Sequence, residues 1–257
     1  MSKSALLISY LSYLTVAGTR HSIHSPFVYN LYENCILNKS NETVFKDIEN
    51  IRKKLLNNKN LINITDHGTG TNCLKKTGDD VSNISKSPKQ AQLLYRLVKY
   101  LKPKTIIELG TAMGLSTMYL ASANTESKVI TVDACPQRTL IAAENFKTLS
   151  FKNIELIVSP FDEALQKINN KIKDSVMICL DGNHTKEATI RYFKNFLPFI
   201  SDDSIMVIDD IHWSNGMTDA WNYIKQNPSV SITIDLFFMG LVFVRKGQAK
   251  QDFILRF

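Results

Sequence analysis

From Ser87-Pro88 onward, short β-rich runs alternate with helical stretches, and that alternation constrains the fold of the 257-residue chain more than any other feature. The strands read Thr105–Leu109, Lys128–Asp133, Ile154–Ser159, Ser175–Leu180 and Ser204–Asp209, with helices between them. Several are near-continuous apolar runs, as parallel strands covered on both faces require. Ahead of them, Ala91, Leu94, Val98 and Leu101 form a helical stripe that Pro103 ends. Two final runs, Ser231–Phe238 and Leu241–Arg245, have only Met239-Gly240 between them, which predicts an antiparallel hairpin. The pattern predicts an α/β fold: a doubly wound, seven-stranded sheet whose last hairpin is antiparallel.

Residues 1–86 read differently, as helical pieces joined by polar loops, and predict an N-terminal helical extension or cap on a domain of residues 87–257. Lys3 and the following apolar residues faintly resemble a signal peptide, but Ser and Tyr interrupt the run. Leu7, Tyr10, Leu11 and Leu14 instead mark one face of a helix docked on the protein or on a second subunit, which makes a homodimer an expectation. A short helix is expected around Phe27–Leu37, and Asn41 and Thr43 can cap another through Val44–Asn57. The loop Asp66–Thr71, which contains His67, reads either as a lid or as an exposed linker. His21 and His24, beside Pro26, read as stabilising a turn.

Charge is unevenly spread. Residues 1–104 hold 16 basic against 7 acidic side chains, and residues 105–257 hold 15 against 17. A basic front part suits an anionic substrate, nucleic acid or membrane surface, or is simply a solvated face. At 44% hydrophobic residues, disorder is excluded. No uninterrupted apolar stretch reaches about 18 residues, so no membrane span is expected. Cys35, Cys73, Cys135 and Cys179 lack CxxC spacing, which argues against a disulfide framework or zinc ribbon and for a reducing, cytoplasmic setting.

The chemistry sits at the strand ends. Gly110 and Gly114 in Thr105-Ile-Ile-Glu-Leu-Gly110-Thr-Ala-Met-Gly114-Leu-Ser116 permit a tight turn and close ligand approach at a helix start. The turn is neither G-x-G-x-x-G nor a Gly-Lys-Ser/Thr P-loop, which weakens an NAD-linked reading. Asp133 closes the second strand 23 residues after Gly110, where a carboxylate can accept hydrogen bonds from a ribose. Phe161 and Asp162, after the third strand, are placed for an adenine ring and its amine, although Asp162 can also serve the following helix. Leu180-Asp181-Gly182-Asn183-His184 and Val207-Ile208-Asp209-Asp210-Ile211-His212 end the fourth and fifth strands.

The E-x-G-x-x-x-G turn resembles motif I of class I S-adenosylmethionine (SAM)-dependent methyltransferases. From Ser87 to Lys246 the chain is similar to catechol and caffeoyl-CoA type O-methyltransferases, through IIELGTAMGLSTMYLA, VITVDACP, SPFDEAL, MICLDGNH and MVIDDIHW. The resemblance implies the strand order 3-2-1-4-5-7-6. It implies that Glu108 and the turn residues Gly110, Thr111, Gly114 and Ser116 hold the methionine part of SAM, and Asp133 the ribose. It further implies a divalent cation on Asp181, Asp209 and Asp210, with Asp181 also bordering the donor. An oxygen-only site of that kind suits Mg²⁺. Two positions depart from the family: His184 replaces its lysine base, and Asp210 stands where Asn is usual. The Asp-Gly-x-His form resembles metal-dependent sugar O-methyltransferases of macrolide biosynthesis, in which histidine is the base; histidine titrates near neutral pH.

The expected activity is metal-assisted methylation of a small-molecule hydroxyl, such as a phenol, sugar, lipid headgroup or metabolite; the basic front part favours an anionic one. The alternatives are a nucleic-acid methyltransferase and a non-catalytic SAM-binding scaffold. Amino methylation of bases goes with (Asp/Asn)-Pro-Pro-(Tyr/Phe) after the fourth strand, and Leu180-Asp181-Gly182-Asn183 differs, so no nucleic-acid partner is expected. Trp213 can flank an acceptor or pack, and Cys179 reads as a core residue.

Overall fold

The computed structural model describes residues 3–66, 71–172 and 174–257. It divides into two compact units, one of residues 39–173 and one joining residues 1–38 to residues 174–257. His67 and its glycine-containing loop lie outside the described residues.

In the unit of residues 39–173, helix α3 (Thr43–Leu56) precedes a hairpin of β1 (Leu61–Asp66) and β2 (Thr71–Lys76), then α4 (Thr77–Ile84). Sequence reasoning missed the hairpin, although Ile62 and Ile64 are buried between the exposed Leu61 and Asn63 in period-two alternation. Helix α5 (Pro88–Leu101) starts on a capping box in which the Ser87 and Gln90 side chains answer each other's backbone N–H groups. It stops at Lys102, whose left-handed φ of 49° precedes Pro103. Three parallel strands follow, β3 (Thr105–Leu109), β4 (Lys128–Asp133) and β5 (Ile154–Val158), with β4 in the middle. They alternate with α6 (Leu115–Ala123), α7 (Pro136–Thr148) and α8 (Phe161–Asn169). Every side chain of β3 is buried, which fits its Thr-Ile-Ile-Glu-Leu run.

The other unit contains α1 (Lys3–Val16) and α2 (Pro26–Leu31), the latter continuing into a π turn at Tyr32–Ile36. It also holds β6 (Val176–Leu180), α9 (Lys186–Phe196), β7 (Ile205–Asp209), α10 (Asn215–Gln226), β8 (Ile232–Asp235), β9 (Met239–Phe243) and β10 (Gln251–Ile254). Strand β6 runs parallel to β7, β9 lies antiparallel between β7 and β8, and β10 is parallel to β8. Within each unit the expected strand order therefore holds. β10 is one strand beyond the seven expected.

Two local expectations change. Met239-Gly240 is not a turn but the start of β9; the chain reverses through Leu236-Phe237-Phe238. Gly240 is needed for packing, because a Cβ there would lie 2.5 Å from Cη2 of Trp221. On α1, the packed face consists of Tyr13 with Leu6, Tyr10 and Leu14, set against Phe237, while Leu7 and Leu11 are 58% and 54% exposed. That helix is tied to the end of the chain: Gly18 N–H donates to Ile254 O and Arg256 N–H to Gly18 O. The Tyr13 hydroxyl donates to Leu255 O, and the Arg256 guanidinium donates to the carbonyls of Ala17 and Leu14.

Candidate active site

The unit of residues 39–173 contains the residues read as holding a nucleoside donor. The turn after β3 is left-handed at Gly110 (φ 113°), Ala112 (φ 48°) and Gly114 (φ 81°). Gly110 and Thr111 donate their N–H groups to Val132 O, and Gly114 N–H donates to Thr111 O. Asp133, at the end of β4, accepts from Ala112 N–H on Oδ2 (2.8 Å) and from Cys135 N–H on Oδ1 (2.9 Å). Burial pushes its carboxyl upward, against the pull of those two N–H groups. A carboxylate offers about four lone-pair sites, so this one keeps capacity for two ribose hydroxyls beside the glycine turn. Phe161 is half-buried and Asp162 exposed, both in the first turn of α8.

Glu108 is fully buried. Its carboxylate accepts from Ser116 Oγ on one oxygen and from Thr117 and Thr131 Oγ1 on the other. Thr131, having given its proton to Glu108, takes the Thr111 hydroxyl at 2.6 Å. Burial raises the Glu108 carboxyl above its ordinary value, and the three hydroxyls oppose that rise. Sequence reasoning missed Thr117, on α6, and Thr131, on β4; for Thr131 the signal was a hydroxyl at a buried position of an otherwise apolar strand.

The other unit holds the acidic set. Leu180 and Ile208 are register partners on β6 and β7, so Asp181 and Asp209 leave neighbouring strands side by side. His184 joins them through a turn that is left-handed at Asn183 (φ 50°), just before Thr185 caps α9 by accepting Ala188 N–H. One ligand atom from each of Asp181, His184 and Asp209 lies within 4.8 Å of the others. A cation with ligands at about 2.1 Å spans about 4.2 Å between opposite donors, so the set needs little closure to hold one. The two carboxylates suit Mg²⁺ or Mn²⁺, and the imidazole beside them can act as a third ligand or as a base. His184 Nε2 is 3.9 Å from Asp181 Oδ1.

Asp210 stands outside that group among the described residues. Its backbone is left-handed (φ 53°), and its N–H donates to Phe238 O at 2.7 Å.

A second constellation in this unit was not foreseen. His212 Nε2 is 2.7 Å from Oδ2 of Asp235, which also accepts Trp221 Nε1–H at 3.2 Å. Oδ1 of Asp235 accepts Phe237 N–H at 2.8 Å and so holds Phe237 at a left-handed φ of 68°. Asp235 is 5% exposed. Its one visible signal was an aspartate closing the apolar run Ile232-Thr-Ile-Asp235.

The strand order within each unit is that of the Rossmann-like methyltransferase fold. Residues 107–211 match the family model described as a methyltransferase domain. The chain is 25% identical over 166 residues to the release factor glutamine methyltransferase of Escherichia coli K12, a match covering 64% of this chain and 55% of that protein. It is 24% identical over 140 residues to the catechol O-methyltransferase of Mycobacterium tuberculosis, covering 54% of this chain and 62% of that one. It thus spans little more than half the length of those relatives. The solved O-methyltransferase of Bacillus cereus, in complex with SAH, superposes with a TM-score of 0.57 at 18% identity, covering 84% of this chain and 96% of that chain.

Proposed function

We propose that the chain is a SAM-dependent methyltransferase acting on the hydroxyl of a small molecule with the help of a divalent cation. The observation that carries this reading is the convergence of Asp181, His184 and Asp209 at the ends of β6 and β7. An enzyme methylating an amide or a base has no need of such a set. SAM supplies an electrophilic methyl group, and the cation lowers the pKa of a bound hydroxyl.

The protein does the rest. Asp133 accepts the ribose hydroxyls, the glycine turn with Glu108, Thr111 and Ser116 receives the methionine part, and Phe161 and Asp162 receive the adenine. Asp181 and Asp209, with Asp210 nearby in the chain, neutralise and orient the cation. His184 accepts the proton that the hydroxyl gives up as the oxygen–methyl bond forms and the sulfur–methyl bond breaks. The Asp181 carboxylate beside it compensates the resulting positive charge. Fixing both reactants supplies much of the rate, since effective molarities of about 10⁵ M or more are reached by well-oriented pairs.

The test is calorimetry with S-adenosylhomocysteine, followed by tritiated-methyl transfer from SAM to a panel of phenols and sugars with and without EDTA. Nucleoside binding with EDTA-sensitive transfer supports the proposal. Absence of binding removes the enzymatic reading, and transfer indifferent to EDTA removes the cation. Transfer to a glutamine-bearing peptide would favour the release-factor type of chemistry instead.

A further inference from the structure

One face of α7, residues 150–152 and the start of β5 border a broadly open cleft of about 540 Å³. Phe146, Phe151, Ile154 and Leu156 line it with hydrocarbon. Lys147 and Lys152 also line it, both exposed, and no carboxylate shares the lining. The volume falls in the range of small-molecule sites, about 300–1,000 Å³. An apolar floor rewards burial of an apolar body, and two ammonium groups in the lining reward a negative charge.

The same helix bears on the glycine turn. A Cβ on Gly114 would lie 2.4 Å from Cε1 of Phe146 and 3.2 Å from Cβ of Ala142, so both side chains rest directly on that backbone. Asn145, between them in sequence order, donates from Nδ2 to Met113 O at 2.9 Å. Phe146 thus has one side against the turn and lines the cleft as well.

We infer that this cleft is a second ligand site, for a small organic anion with an apolar body, and that its occupancy is coupled to the donor turn through Phe146. The coupling rests on the donor assignment made above; the binding does not. A ligand seated on Phe146 presses a ring that is already in contact with Gly114. A shift of the turn on donor binding would move the ring that lines the cleft, and linkage requires the effect to be equal in both directions.

Anilinonaphthalene sulfonate and its uncharged analogue phenylnaphthylamine are suitable probes, read by fluorescence on the full chain. The sulfonate is expected to bind at one site. Its affinity should fall about tenfold in the Lys147→Glu/Lys152→Glu variant while that of the neutral analogue barely changes, because only the charge term is reversed. Ala143→Trp fills the cleft from its rim and is expected to abolish binding of both probes. Sulfonate binding that ignores both changes overturns the site, as does equal weakening of the two probes by charge reversal. Saturation with S-adenosylhomocysteine is expected to shift the sulfonate affinity about fivefold, with the reciprocal shift in nucleoside affinity. Unchanged affinities overturn the coupling. If S-adenosylhomocysteine does not bind at all, the proposed function fails while the anion site stands on the probe data alone.

Discussion

Gly240→Ala should be among the most damaging single-methyl additions in this protein. Gly240 pairs with Ile208 on one side and Asp235 on the other in the middle of the β7–β9–β8 ladder, so its backbone cannot retreat without breaking register. Its Cβ would stand 2.5 Å from Cη2 and Cζ3 of Trp221 and 3.0 Å from Cε3. Ordinary contact is about 3.5–4.0 Å, so the indole must withdraw by about 1 Å. Trp221 is 1% exposed, so its indole can withdraw only by displacing other buried groups. Overpacking of this kind costs about 1–3 kcal/mol. Withdrawal also stretches the 3.2 Å bond from Nε1 to Asp235, and a hydrogen bond to a charged acceptor is worth about 1.5–3 kcal/mol. The combined loss is about 2.5–6 kcal/mol. Urea unfolding followed by circular dichroism measures it. Trp221→Phe removes the clashing ring atoms, so adding Gly240→Ala to that variant should cost at least about 1 kcal/mol less than adding it to the wild type. A Gly240→Ala protein as stable as the wild type, or an identical penalty in both backgrounds, would refute the argument.

Asp80→Ala is expected to cost about 2–4 kcal/mol in urea unfolding, because it takes two charge-assisted hydrogen bonds from a partly buried guanidinium. Asp80 is 0% exposed and takes Arg138 Nε at 2.9 Å and Nη2 at 2.8 Å. Glu108, raised above 4.5 by burial, keeps its proton to higher pH in the folded chain than in the unfolded one. The wild type therefore loses stability relative to Glu108→Gln as pH climbs from 4.5 towards the folded value, and a flat difference across that window would contradict the shift. Asp209→Asn should weaken Mn²⁺ binding, measured by calorimetry, by about tenfold or more. Unaltered Mn²⁺ affinity would show that the cation, if bound, sits elsewhere.

Much of this was legible because the relevant signals are local. The strands from Thr105 to Asp209 were readable from short β-branched runs, and Asp133, Asp181 and Asp209 from their places at strand ends. What was misread depended on partners distant in sequence. Gly240 looks like a turn glycine until Trp221, nineteen positions earlier, is seen above it. The stripe on α1 was assigned one step around the helix because both of its faces are apolar, and only contact with Phe237 decides between them. His184 was read from its place three residues after Asp181, and the structure brings it within 4.8 Å of Asp181 and Asp209; the left-handed backbone at Asp210 has no signal in its neighbours. The Asp80–Arg138 and His212–Asp235 pairs join residues 58 and 23 positions apart, and neither spacing is a motif.

The tie between α1 and the end of the chain has a mechanical consequence. Gly18 and Leu255 form a parallel bridge, so traction applied at the two termini loads this seam in shear, and its bonds must yield together rather than one by one. Single-molecule extension from both ends should therefore meet resistance at this seam from the outset, and trimming the last few residues should abolish that initial resistance.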